Sequence, residues 1–215
     1  MTYSTYETQR GNFLLTDEHD LVSDQIKASQ FWEHELQPIF DMVLPQMVVV
    51  EVGAYVGDHT VDLAKRCSYV HAFEGHKPTY YLLGANLLLN DCLNVTTYNL
   101  CIGNGTKVNG RIPDPNNIAA YLYKSVEDGT SIAHRLDDIL VGLDRLDFLK
   151  VDVEGMDLEA LMGAKQLIGD FKPRIVYEFS WPLSKQPHVE YEAFLKQFGY
   201  TTTKLEGMWN WHAHQ

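Results

Sequence analysis

The sequence has no paired-cysteine motif, no long apolar run, no basic cluster and no linker, and each absence removes a class of function. Its three cysteines, Cys67, Cys92 and Cys101, are an odd number with neither CxxC nor Cys/His spacing. A zinc site or a disulfide scaffold is therefore not expected, and the cysteines read as small buried hydrophobes in a reducing compartment. No stretch approaches the roughly 18 apolar residues a membrane span needs. The opening residues MTYSTYETQRGNF lack a basic segment followed by an apolar one, so no secretory signal is visible and a soluble, cytoplasmic protein is expected. Against 29 Asp and Glu there are only 17 Lys and Arg, a formal charge of −12. A body this acidic repels phosphate backbones, which makes nucleic acid a poor partner.

What is present is ordinary globular material: 215 residues, 45% of them hydrophobic, enough for one medium domain with a short N-terminal extension. Residues 1–20 are polar and read as an irregular arm. From Ser23 to Leu44, Ile26, Phe31, Leu36, Ile39, Phe40 and Val43 recur at helical spacing. Ser23 or Asp24 is the candidate N-cap, and Pro38 divides the stretch into two helices. Residues 1–45 are thus expected to pack as an arm on a domain spanning 46–215.

Alternation begins at Met47. Strands are expected at 47–52, 69–73, 95–102, 147–153, 174–179 and 200–205, with helices at 58–67, 78–90, 157–168 and 189–198. The polar 104–128 stretch is an excursion without a pattern, and 131–140 reads as a strand followed by a helical turn. Short apolar strands alternating with helices imply an α/β domain, a mainly parallel sheet with helices on both faces. Such a sheet binds its ligand beyond the carboxyl ends of its strands, where the strand order reverses.

The first strand runs into Glu51-Val52-Gly53-Ala54-Tyr55-Val56-Gly57. Gly53 permits a sharp turn, and Gly57 lets the next helix begin close to a ligand. A pyrophosphate site would place a glycine where Tyr55 stands. The acidic Glu51 before the turn instead suits the ammonium or sulfonium of S-adenosyl-L-methionine. Glu74, 23 positions after Glu51, ends the second strand, where a carboxylate can accept hydrogen bonds from a ribose diol. Ile102, at the end of the third strand, is a candidate wall for the adenine or a plain core residue. The donor-side candidates are therefore Glu51, Gly53, Ala54, Tyr55, Gly57, Glu74 and Ile102.

The segments VVEVGAYVGDHT, VHAFEGHKPTYYLLGANLLLN, LDDIL, DFLKVDVEGMDLEALMGAKQLI and KPRIVYEFS, in that order, resemble the FkbM-type methyltransferases. The match runs from about Met47 to Ser180, and FLLTDEHDLVSDQIKASQFWEHEL resembles the arm that precedes it. Its most specific piece is Lys150-Val151-Asp152-Val153-Glu154-Gly155; Gly75 departs from the usual proline after the acidic ribose ligand. The resemblance implies a Rossmann-like class I methyltransferase fold, S-adenosylmethionine as donor, and a hydroxyl on a sugar, lipid or secondary metabolite as acceptor. It also implies that Glu51, Gly53, Tyr55, Gly57 and Glu74 hold the donor, and that Lys150, Asp152 and Glu154 face the transferring methyl.

Read on their own chemistry, Lys150, Asp152 and Glu154 alternate along one strand and share a face. They form either a structural ion pair with a capping Glu154, or a proton acceptor with a lysine that orients the substrate oxygen. Glu178 ends the next strand, as a substrate-pocket residue or as a solvated carboxylate. His59 and His134 are weaker base candidates, and His212 and His214 have no ligand spacing to support a metal. The fourth strand ends without an Asp/Asn-Pro-Pro-aromatic motif and without Pro-Cys, which argues against methylation of nucleic-acid amines and against cytosine-C5 chemistry. Two rivals remain: a nicotinamide-dependent oxidoreductase, and a non-catalytic nucleoside-binding protein that kept the fold.

Overall fold

The computed structural model describes residues 2–29, 32–112, 117–118, 121–181, 183–184, 186–207 and 209–215. Phe31, one of the residues supporting the N-terminal helical pattern, lies outside them, as do parts of the 104–128 excursion. The N-terminal segment is not an irregular arm. It forms an antiparallel hairpin of β1 (Tyr3–Glu7) and β2 (Asn12–Thr16). β1 is almost wholly exposed and so leaves no alternating signal, whereas Phe13 and Leu15 of β2 are fully buried. The side chains of Asn86 and Asn90 pin β2, exchanging hydrogen bonds with the backbone of Leu14 and Asn12.

Helix α1 (Leu21–Lys27) is capped by Asp20, whose carboxylate accepts from Ser23 N at 3.0 Å. The cap thus lies three or four residues before the Ser23 or Asp24 read from sequence. Pro38 stands in the first turn of the short α2 (Gln37–Phe40), where its missing N–H costs nothing, rather than dividing a longer helix.

The main sheet has seven strands: β3 (Val48–Val52), β4 (Tyr69–Phe73), β5 (Val95–Tyr98), β9 (Phe148–Val151), β10 (Arg174–Glu178), β11 (Thr201–Lys204) and β12 (Asn210–His214). Their spatial order is β5-β4-β3-β9-β10-β12-β11. All pairings are parallel except those of β12, which runs antiparallel between β10 and β11. The order reverses between β3 and β9, so the ligand crevice is expected above that pair. Helices α3 (Asp58–Ala64) and α4 (Lys77–Leu89) follow β3 and β4; α6 (Asp157–Gly163), α7 (Lys165–Phe171) and α8 (His188–Lys196) follow β9 and β10.

Alternation along the buried strands fills both faces. Val49, Phe148 and Val176 pack with the arm, α3 and α4, whereas Val50, Leu149 and Ile175 pack with α6, α7 and α8. Glu51 and Lys150 have the parity of the first group and are register partners across β3 and β9. The polar excursion contributes β6 (Lys107–Arg111) and β7 (Leu122–Ser125), which with β8 (Ser131–Ile132) form a small antiparallel sheet in the order β7-β6-β8. A single turn, α5 (Leu136–Ile139), leads back to the main sheet. Among the described residues, no helix is long and apolar enough to cross a membrane.

Candidate active site

One cleft lies over the carboxyl ends of β3, β4, β9 and β10 and is also lined by Asn117, Ile118, Tyr121 and Tyr123 of the excursion. Its first wall is the turn after β3. Gly53 adopts φ +85°, and a Cβ there would lie 1.7 Å from the Asp152 carbonyl oxygen, so only glycine lets the β3 and β9 ends meet at the switch point. Tyr55 also has positive φ, an uncommon state for a non-glycine residue. Three contacts hold it. Its N–H donates to Glu74 Oε2 at 2.8 Å, its hydroxyl donates to Asp20 Oδ2 at 2.6 Å, and Ser23 Oγ lies 3.0 Å from that hydroxyl. Asp20, fully buried, also accepts from Ile118 N at 2.7 Å through its other oxygen. One carboxylate therefore joins the arm, the β3 turn and the excursion.

Glu74 is pinned on both oxygens, since Oε1 accepts from His76 N at 2.7 Å. Burial pushes its carboxyl up to about 7, against the opposing pull of these backbone donors. Ile102 lines the cleft at 1% exposure near Phe73 and Leu100, an apolar strip beside Glu74. Ala54 lines the same wall.

Glu51 and Gly57 are not on the cleft wall. Glu51 lies one layer below, fully buried. Its Oε2 accepts from Thr60 Oγ1 at 2.6 Å, and its Oε1 has no hydrogen-bond partner among the described residues. Burial raises its carboxyl to about 7, opposed by the nearby Lys150 ammonium. Gly57, at φ +91°, opens α3 against Leu83.

The second wall is the turn after β9. Lys150 is 1% exposed, and its Nζ donates to Asp152 Oδ2 at 2.8 Å. Burial alone would lower the lysine, but the carboxylates of Asp152, Glu33 and Glu51 outweigh it and hold Lys150 firmly charged. The strand itself ends at Val151, earlier than the sequence pattern suggests. Glu154 therefore sits in a turn rather than on the strand face, at φ 53°. Asp157 closes that turn by accepting from Val153 N and Gly155 N, at 2.9 and 3.1 Å. Lys150, Asp152 and Glu154 all reach the cleft, but only Asp152 bonds the lysine. Burial, reinforced by Asp152 and Asp157, raises the Glu154 carboxyl to about 8.

Glu178, at the end of β10, completes this side at 7% exposure. The sequence reading missed Glu33, which precedes α2, adopts φ 52° and also lines the cleft. Its signal was slight: an acidic residue beside Trp32 in a stretch read as helix up to Pro38. Asp20 was legible only as the first residue of a D-x-x-S cap that ends at Ser23. Of the two histidine candidates, His59 lines the cleft. Its Nε2 is 3.2 Å from the Trp32 carbonyl oxygen, and burial lowers its pKa. His134 instead bridges to Ile102 behind the wall. His212 contacts Arg174 in the sheet, at 2.9 Å. Among the described residues no cluster could hold a metal ion, and the three cysteines are free.

A seven-stranded sheet with one antiparallel strand next to its edge, a glycine turn after the first central strand and an acidic end on the second defines a class I methyltransferase fold. The family follows from sequence: residues 51–202 match the methyltransferase FkbM domain, and the chain belongs to that family. A curated relative, methyltransferase sdnD of Sordaria araneosa, is 27% identical over 75% of this chain and 76% of its own length. Among solved structures, methyltransferase FkbM of Methylobacillus flagellatus KT superposes with a TM-score of 0.57 at 18% identity. That alignment covers 79% of this chain, which spans only 44% of that longer one. A Streptococcus mutans protein described as a methyltransferase and solved with SAH gives a TM-score of 0.53 at 12% identity, covering 85% of this chain and 98% of its own. At these identities the structural likeness concerns the fold.

Proposed function

We propose that this chain is an S-adenosylmethionine-dependent methyltransferase acting on a hydroxyl of a small molecule or sugar, with residues 1–45 as an accessory arm and 46–215 as the donor-binding domain. The observation that carries this reading is the pair of acidic strand ends, Glu74 after β4 and Asp152-Val153-Glu154 after β9, flanking the Gly53 turn in one cleft. The residues fit the donor. Glu74, fixed by two backbone donors, keeps lone pairs for a ribose diol, and Ile102 and Phe73 offer an apolar surface to an adenine. Gly53, Ala54 and Tyr55 supply the turn beneath it, with Glu51 and Gly57 supporting that turn from below. Bound there, S-adenosylmethionine supplies an electrophilic methyl carbon.

On the acceptor side, Glu154 takes the proton that the acceptor hydroxyl gives up, since a carboxyl raised to about 8 is matched to base catalysis near neutral pH. The Lys150–Asp152 pair orients that oxygen, and Glu178 lines the acceptor pocket. Lys150 is the one Lys or Arg among the described lining residues, beside six carboxylates, a surface that disfavours a nucleic-acid acceptor. Tyr55, where a dinucleotide site would want glycine, is locked to Asp20, which disfavours a nicotinamide enzyme. Three free thiols suit a cytoplasmic setting.

Calorimetry with S-adenosylmethionine, S-adenosylhomocysteine and NAD tests the reading. The two adenosyl ligands should bind and NAD should not, and Glu74→Ala should weaken the donor by about 1.5–3 kcal/mol, the scale of lost charge-assisted hydrogen bonds. Binding of NAD alone would overturn the assignment. A mass increment of one methyl on an acceptor pool would then separate the enzyme from a non-catalytic binding protein.

A further inference from the structure

Six carboxylates line the cleft: Glu33, Asp58, Glu74, Asp152, Glu154 and Glu178. Four have work in the reading above or in the fold. Glu74 is held by backbone donors, Asp58 lies 3.5 Å from Arg10, Asp152 pairs with Lys150, and Glu154 is the proposed proton acceptor. Glu33 and Glu178 have no bonded role there, although Glu33 adds to the negative field that keeps Lys150 charged. Glu178 is 7% exposed, lines the cleft, and among the described residues no group donates to its Oε2. Glu33 receives one bond, from Asn210 Nδ2 to Oε1 at 2.5 Å, and its Oε2 likewise has no donor. Among the described residues His59 is the basic group nearest that oxygen, at 3.9 Å, and burial disfavours the charged form of its imidazole.

These two residues are neighbours by construction. Asn210 of β12 is the register partner of Glu178 of β10, so the bond from Asn210 draws Glu33 of the arm over the end of β10. Glu33 holds this place in a left-handed backbone conformation, an uncommon state for a non-glycine residue. Trp32 and Trp209 line the same region, and an indole face attracts cations as well as sugars. An ionised carboxylate is an acceptor only and is expensive to bury unless a donor, above all a charged one, meets it. Burial and the neighbouring carboxylates raise both Glu33 and Glu178, and a bound cation would favour their ionised forms.

We propose that Glu33 and Glu178 form a cation subsite, and that the acceptor carries a protonated amine beside the hydroxyl to be methylated, as an amino sugar or an amino alcohol does. The proposal rests on the cleft being a methyl-transfer site. The donor's own ammonium shares this chemistry, so the test must distinguish donor from acceptor. Two donor analogues do so, one with a 2-aminoethyl arm in place of the transferable methyl and one with a 2-hydroxyethyl arm, with S-adenosylhomocysteine as reference.

By calorimetry the wild-type protein should bind the amino arm at least tenfold more tightly than the hydroxyl arm. Glu178→Gln, and separately Glu33→Gln, should erase most of that preference while changing S-adenosylhomocysteine affinity less than twofold. Equal affinity of the two arms in the wild type would overturn the proposal. So would a loss of S-adenosylhomocysteine affinity matching the loss for the amino arm, because the carboxylates would then serve the donor. Should one variant fail to fold, the wild-type ratio and the other variant still decide. Failure of S-adenosylhomocysteine to bind the wild type would instead refute the methyltransferase reading itself.

Discussion

Replacing Glu51 with Gln removes one ionisation from beneath the cleft with little change of shape, and its effect on stability can be worked out with its sign. Glu51 is fully buried, bonded to Thr60, and its carboxyl is raised from 4.5 to about 7, chiefly by burial. An acid whose folded pKa lies above its unfolded value binds its proton more tightly when folded. Stability is then greatest below about 4.5, falls as pH rises toward 7, and levels off above it. A rise of this size corresponds to about 3 kcal/mol at full ionisation. Glu33, Glu74, Glu154 and Asp157 are raised too, but they remain in both proteins and largely cancel in the difference. Urea or thermal melts of the donor-free protein from pH 4.5 to 8 should therefore show the wild type losing about 3 kcal/mol more than Glu51→Gln across that range. For a chain of this size the divergence in Tm is roughly 6–12 °C. Parallel curves would refute the reasoning. A Gln variant that loses more as pH rises would show that Glu51 acts mainly as an ionised partner of Lys150.

Two neighbouring substitutions should behave differently from each other. Asp152→Asn deprives the buried Lys150 of its bonded partner but leaves the charges of Glu33 and Glu51 nearby. The loss should accordingly be about 2 kcal/mol by thermal melts, short of the 3–5 kcal/mol typical of a broken buried pair; an unchanged Tm would show that the pair does not stabilise the fold. Glu154→Gln should not lower Tm at neutral pH and should raise it by the same logic as Glu51→Gln, since burial and Asp152 already raise this carboxyl to about 8 and no donor among the described residues is bonded to it. It should also slow single-turnover methyl transfer by about 10²–10⁴-fold. An unaltered rate would remove Glu154 as the proton acceptor.

The parallel half of the fold was legible because its strands are continuous apolar runs bounded by glycine or acid: VVVEV, YVHAF and RIVYE lie within a residue or so of where the sequence places them. The acidic ends of those strands identified most of the cleft by the same logic. What escaped was structure whose signal is not local. The β1–β2 hairpin shows water one face and depends on asparagines some 70 residues away. The small sheet of the excursion is built from polar, largely exposed strands such as KVNGR. The 157–168 helix divides in two at Ala164, where Gly163 approaches Gly103 so closely that a Cβ would lie 1.9 Å from its carbonyl oxygen. Glu33 reached the site through a turn that no periodicity announces.

The Asp20 carboxylate can be described in terms of chain entropy. Its two oxygens close loops of 35 residues to Tyr55 and 98 residues to Ile118. Closure cost grows only with the logarithm of length, so the longer loop costs about 0.9 kcal/mol more than the shorter. Lengthening the excursion by a dozen residues would add about a tenth of that. The segment over the cleft, tied down at Ile118 by a residue that belongs to the arm, is thus cheap to resize. Its sequence and length can be altered to suit a different acceptor while the sheet, the β3 turn and the carboxylate that anchors them stay as they are.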